Sequence, residues 1–75
     1  MAVVQLLVKA YAVNIYRYGN RSFDTIPSEY HEPVKEYAAG YFELKDTDEA
    51  LAKGYITEQE YAETLAYRIE TEPVG

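Results

Sequence analysis

Residues 52–61 read Ala52-Lys53-Gly54-Tyr55-Ile56-Thr57-Glu58-Gln59-Glu60-Tyr61, a helix end, a tight turn and the start of the next helix. Gly54 is placed to take the left-handed conformation that closes a helix, which costs glycine least. Thr57 followed three residues later by Glu60 is a capping box, in which each side chain satisfies the other residue's backbone N–H. Ile56 before the cap and Tyr61 four residues beyond it have the spacing of a hydrophobic staple. Gly54, Ile56, Thr57, Glu60 and Tyr61 therefore all mark one helix–turn–helix corner.

The helix before this corner spans about 48–53. Asp46 or Thr47 is its expected cap, and Asp48 and Glu49 in the first turn complement the helix dipole. The following helix spans about 58–69, with Tyr61, Leu65, Arg68 and Ile69 inward and Ala62 beside them. Residues 71–75 contain Pro73 and read as a frayed tail. Upstream, Pro33 is tolerated at a first helical position, so a helix is expected over 33–42. Its inner face is Val34, Tyr37, Ala38 and Tyr41. Residues 20–27 form a connector with Phe23 and Ile26 as apolar plugs, and Ser28 is placed to cap a short turn. At the N-terminus, Val4, Leu7, Val8, Tyr11, Ile15 and Tyr18 recur at helical spacing, and Gly19 is a natural stop. Five β-branched residues make a strand the competing reading of 3–18. Sixteen residues is long for a strand and ordinary for a helix, which favours the helix.

These elements imply an all-α fold: one domain over 1–75, built as a small bundle of three to four short helices around Tyr, Leu, Val and Ile. The N-terminal helix is apolar over most of its girth, because Val3, Leu6 and Ala10 widen the inner arc. A helix of that kind is usually covered on more than one side. A 75-residue chain buries only about 60% of its unfolded surface, and this one has no cysteine to staple it. Self-association is therefore expected, with Val3, Leu6, Leu7, Ala10 and Tyr11 as the contact surface.

The net charge of −6 is uneven. Residues 1–27 carry three bases and one acid (net +2), and residues 28–75 carry four bases and twelve acids (net −8). An acidic surface repels phosphate, which argues against direct nucleic-acid binding. The apolar N-terminal run is interrupted by Gln5 and Lys9 and is shorter than a bilayer span, so no membrane role is expected. It lacks the basic start and small-residue cleavage site of a secretory signal.

Catalytic chemistry needs a constellation of groups, and none is visible. His31 is the only histidine and reads as an exposed loop residue. Glu43, Asp46, Asp48 and Glu49 fail the calcium-loop pattern: counted from Asp46, the sixth position is Leu51 and the twelfth is Thr57, where glycine and glutamate are required. The scattered glycines form no phosphate-binding loop. No catalytic residue, metal or cofactor is expected.

The stretch Leu51 to Thr64, with its Gly-x-Ile-Thr turn and Glu-x-Glu-Tyr helix start, resembles the XkdX-like proteins encoded in the tail modules of Gram-positive phages and prophages. It departs from them in lacking their Thr-Gly-Glu ending and tryptophan-bearing start. Tyr11 to Val34 is similar to a second group of short phage proteins, on the strength of an apolar N-terminal helix, Gly19, Arg21, Phe23, Ile26-Pro27 and Val34. These resemblances imply a phage or prophage accessory protein, inside the bacterial host or carried by the virion. On this reading it acts without catalysis, through contacts with protein partners and as a homo-oligomer. The acidic C-terminal part suits a second expectation: a monomeric inhibitor that mimics nucleic acid on a basic protein surface.

Overall fold

The computed structural model describes residues 3–71, with side chains described through Arg68. α1 (Gln5–Ala12) runs without a break into a π-helical segment (Val13–Tyr18) that ends at Gly19, φ 68°. Two short 3₁₀ turns follow, Phe23–Thr25 and Ser28–Tyr30. The second leads directly into α2 (His31–Tyr41), then α3 (Leu44–Ala52) and α4 (Glu58–Thr71). There is no strand among the described residues. The expected all-α bundle is thus the observed architecture.

α2 is the central element, packed by α1 on one side and α4 on another, while α3 closes over the π segment. Val8, Ala12, Ile15, Tyr16, Phe23, Ile26, Tyr30, Val34, Ala38, Phe42, Ala50 and Ile56 make one continuous core. Phe23 and Ile26 are the plugs expected beneath the connector.

The corner at 52–61 has the expected chemistry. Gly54 has φ +79°. Its N–H donates to the Leu51 carbonyl (3.0 Å) and that of Tyr55 to the Ala50 carbonyl (2.8 Å). This is the paired pattern of a Schellman motif. The Thr57 N–H donates to Glu60 Oε1 (2.9 Å) and the Glu60 N–H to Thr57 Oγ1 (3.1 Å), completing the capping box. Ile56 is buried, and Tyr61 packs against the same core.

Element boundaries and faces differ from expectation in ways that have physical causes. α2 begins at His31 rather than Pro33. Pro33 is third in the helix, where its missing N–H would have had no partner in any case. The helix stops one residue early because Phe42 turns extended (φ −97°, ψ 154°) and is buried. α3 begins at Leu44, not residue 48: the Glu43 N–H donates to Asp46 Oδ2 (3.2 Å), so Asp46 lies inside the first turn instead of capping it. Thr71 belongs to α4, and the rest of the expected tail, residues 72–75, lies outside the described residues, as does the Ile69 side chain.

The N-terminal helix does not bury the predicted face as a whole. Val8, Ala12, Ile15 and Tyr16 are buried, while Val4, Leu7 and Tyr18 are exposed. The π turn hydrogen-bonds i→i+5 instead of i→i+4, so each residue is displaced around the axis relative to an α-helix. Tyr16 rotates in and Tyr18 rotates out. On α2, Tyr41 is exposed and stacks on Tyr37 (4.4 Å, 25°). On α4, Ala62 is exposed, and the fully buried position is Thr64.

Candidate interaction surface

α1 carries the most exposed aliphatic side chain among the described residues. Leu6 is 76% exposed and Leu7 40%, while Val8 and Ala12 on the opposite side of the helix are buried; Val4, 48% exposed, stands at the helix start. In Gln5–Ala12 only Gln5 and Lys9 are polar, so sequence and core packing together leave an aliphatic stripe in solvent. Of the expected contact residues, Leu6 and Leu7 form this stripe, Ala10 is half-buried beside it, and Val3 and Tyr11 pack against the core. The helix start is fixed by the Val4 N–H donating to the Tyr30 hydroxyl (3.1 Å) and by the Tyr11 ring meeting Tyr30 edge-on (5.2 Å, 87°). The stripe therefore sits on an anchored helix. A shallow groove lined by Gln5, Val8, Pro33, Glu36, Tyr37 and Tyr41 runs along the α1–α2 seam. Lys9, Arg17 and Arg21 lie in the same N-terminal third, where the first acid is Asp24. The remaining surface is acidic. Tyr41 was expected inside; as an exposed ring it borders the groove.

A second constellation was not anticipated from sequence. Lys35 is buried, and its ammonium donates to Glu32 Oε2 (3.1 Å) on its own helix and to Glu63 Oε1 on α4. The Tyr67 hydroxyl donates to the other Glu32 oxygen (2.6 Å), and the Gln59 amide donates to the other Glu63 oxygen (3.0 Å). The Lys35 ammonium also lies 5.4 Å from the centre of the Phe23 ring. Glu32 is held below the usual carboxylate range by the Tyr67 hydrogen bond and by Lys35; Glu63 is lowered by Lys35 and then Gln59. Burial alone would depress Lys35, but its two carboxylate partners outweigh that and hold it above its ordinary value. The cue in the sequence was the Glu32–Lys35 spacing of three on a helix. The partner on α4 could not be read from local pattern.

The other expected acids act within the fold. Asp48 accepts from the Tyr61 hydroxyl (2.5 Å), which raises Tyr61, while Glu43, Asp46 and Glu60 belong to helix starts. His31 corrects the expectation of an exposed loop residue. It is half-buried at the start of α2, and its Nε2–H donates to the Phe23 carbonyl (2.7 Å), which fixes the tautomer. Tyr16 is pushed well above the usual phenol range, chiefly by burial. Its hydroxyl donates to Thr64 Oγ1 (2.6 Å), because the Thr64 hydrogen is given to the Glu60 carbonyl (2.8 Å). Among the described residues no group of His, Cys, Asp and Glu is arranged to hold a metal ion.

The Lys35 cluster predicts acid lability with a definite sign. Carboxylates whose folded pKa lies below the unfolded value of about 4.3 stabilise the fold above that pH. The contribution disappears as pH falls through the lowered folded values. Helicity by circular dichroism should hold from neutral pH to about 5 and decline below about 4. Lys35→Met removes the cation that lowers both groups and should shift the acid midpoint; an unchanged midpoint would show that the cluster contributes nothing to it.

No known family model matches this chain, and no curated protein or solved structure matches it either.

Proposed function

We propose that this protein is a non-enzymatic accessory protein that works by contact, with the outer face of α1 joining it to a second copy of the same chain. The observation carrying this reading is the exposure of Leu6 and Leu7, neighbours on a helix whose other side is anchored in the core. Aliphatic surface of this kind gains about 25 cal/mol for each Å² removed from water. A two-fold contact places the same stripe against itself, so a single exposed face is sufficient. The sequence resemblance to phage and prophage tail-module proteins supplies the biological setting of the proposal: a small assembly component in the infected bacterium or the virion.

The net charge of −8 over residues 28–75 supports the nucleic-acid-mimic reading less strongly. Glu32, Glu43, Asp46, Asp48, Glu60 and Glu63 already accept hydrogen bonds or ion pairs inside the fold.

Light scattering behind size exclusion, over a range of concentrations, tests the proposal. The expected mass rises to at least twice 8.6 kDa. Leu6→Glu should return it to the single-chain mass with helicity unchanged, since a side chain this exposed loses nothing in the isolated fold. A mass of 8.6 kDa at every concentration would overturn self-association and move the search to a basic protein target.

A further inference from the structure

α4 is attached to the rest of the protein differently from α1, α2 and the π segment. From Glu58 to Arg68, its one fully buried side chain is Thr64, a polar residue, with the half-buried Tyr61 packed at the core's edge, whereas α1, α2 and the π segment are held by the buried Val8, Ala12, Ile15 and Val34. What holds α4 is a ladder of side-chain hydrogen bonds, turn by turn. Tyr61 reaches Asp48 on α3, and Thr64 takes the hydroxyl of Tyr16. Glu63 grips Lys35, and Tyr67 grips Glu32. At the far end, Arg68 Nη1 donates to the carbonyls of Ala39 (3.2 Å) and Phe42 (3.0 Å). The near end is the Gly54 corner, a backbone joint with open space around the glycine.

Each of these bonds exchanges for a bond to water when the helix lifts, so its net contribution is modest: on the order of 1 kcal/mol for the neutral Tyr16–Thr64 pair and about 1.5 to 3 kcal/mol where one partner is charged. An apolar seam has no such substitute. Segments with few buried apolar contacts occupy the low-stability end of a structure and open in contiguous units.

We propose that α4 is a polar-latched cover that swings open as one unit about the Gly54 corner while α1 to α3 stay folded. Opening exposes a trough that holds the Tyr16 hydroxyl, the Lys35 ammonium and the carbonyls of Ala39 and Phe42. The buried lysine is the reporter of that state, because Lys9, Lys45 and Lys53 are exposed in the closed form.

The test combines native-state hydrogen exchange with pulsed acetylation of the full chain, read by mass spectrometry. The expected result is that α4 amides from Ala62 to Arg68 share one opening free energy, below that of the α1 and α2 core amides, and that Lys35 acetylates at a rate following α4. Tyr67→Phe removes one rung, a bond to a carboxylate, and should speed both α4 exchange and Lys35 acetylation about tenfold or more with α2 amides unchanged. Three results would each overturn the proposal. One is α4 and Lys35 reacting only at the global rate of α2. Another is α4 protection falling steadily toward residue 71, with Lys35 at the global rate. The third is Lys35 labelling while α4 amides stay protected.

Discussion

Phe23→Ala will cost about 4 kcal/mol and leave the protein at the edge of unfolding. Phe23 is 2% exposed although it belongs to a three-residue turn in a connector. Its ring meets Tyr16 edge-on (6.0 Å, 90°) and His31 edge-on (5.5 Å, 77°), with Lys35 over its face. Two elements therefore lean on one side chain: the π segment through Tyr16, and α2 at its start through His31 and at its middle through Lys35. Truncation opens a cavity among groups that cannot collapse together, because Tyr16 is tied to Thr64 and His31 to the Phe23 carbonyl. A domain of this length has a total stability of roughly 4 to 11 kcal/mol, so the loss is a large share of it. Urea titration followed by circular dichroism should place the midpoint about 1 to 4 M below that of the parent protein. Phe23→Leu, which retains most of the volume, should cost less than about 1.5 kcal/mol. A loss below 1 kcal/mol for the alanine variant would show that Phe23 is not the keystone of the connector.

Gly19→Ala should cost about 2 to 5 kcal/mol, by two separable routes. Gly19 has φ 68°, a left-handed conformation that costs an L-residue about 1 to 2 kcal/mol. A methyl group there would also land within the ring of Tyr55, so the ring or the backbone must shift. Overpacking of that kind costs about 1 to 3 kcal/mol. Gly54 provides the comparison: its φ is +79°, but nothing lies within 4 Å of a Cβ built there. Gly54→Ala should therefore cost only the conformational part, about 1 kcal/mol. The difference between the two variants measures the approach of Gly19 to Tyr55. Adding Tyr55→Ala to Gly19→Ala should recover part of the loss, a coupling that a double-mutant cycle reads directly. Equal costs at Gly19 and Gly54 would mean that Tyr55 yields freely.

The corner at 52–61 was legible because every signal in it is local. Gly54, Thr57 and Glu60 act on backbone groups within a few residues, and such chemistry works the same way in any fold. Phe23 and Ile26 were legible because apolar side chains in a polar connector have few places to go but the core. The starts of α2 and α3 were misplaced because Pro33 and Asp46 are each accepted at more than one position of a first turn. The face of the N-terminal helix was only partly legible: α-helical periodicity places Tyr18 inside, and the π segment changes that wheel from Val13 onward, while the exposure of Leu7 is set by where α2 packs.

Sequence by itself determined that the chain is helical, where its sharpest corner lies and that its N-terminal helix carries more apolar surface than one side can bury. Helix propensity, caps and hydrophobic spacing are short-range properties, and they are written residue by residue. Tertiary structure decided which apolar residues stay in water, leaving Leu6, Leu7 and Tyr41 outside and drawing Tyr16 in. It also decided that Lys35 would meet Glu63 and that Tyr16 would meet Thr64. Those pairs are 28 and 48 residues apart in the chain. No local rule brings such groups together; only the packing of α4 and the π segment around α2 does, and with it the burial of a charge that must then find its partners.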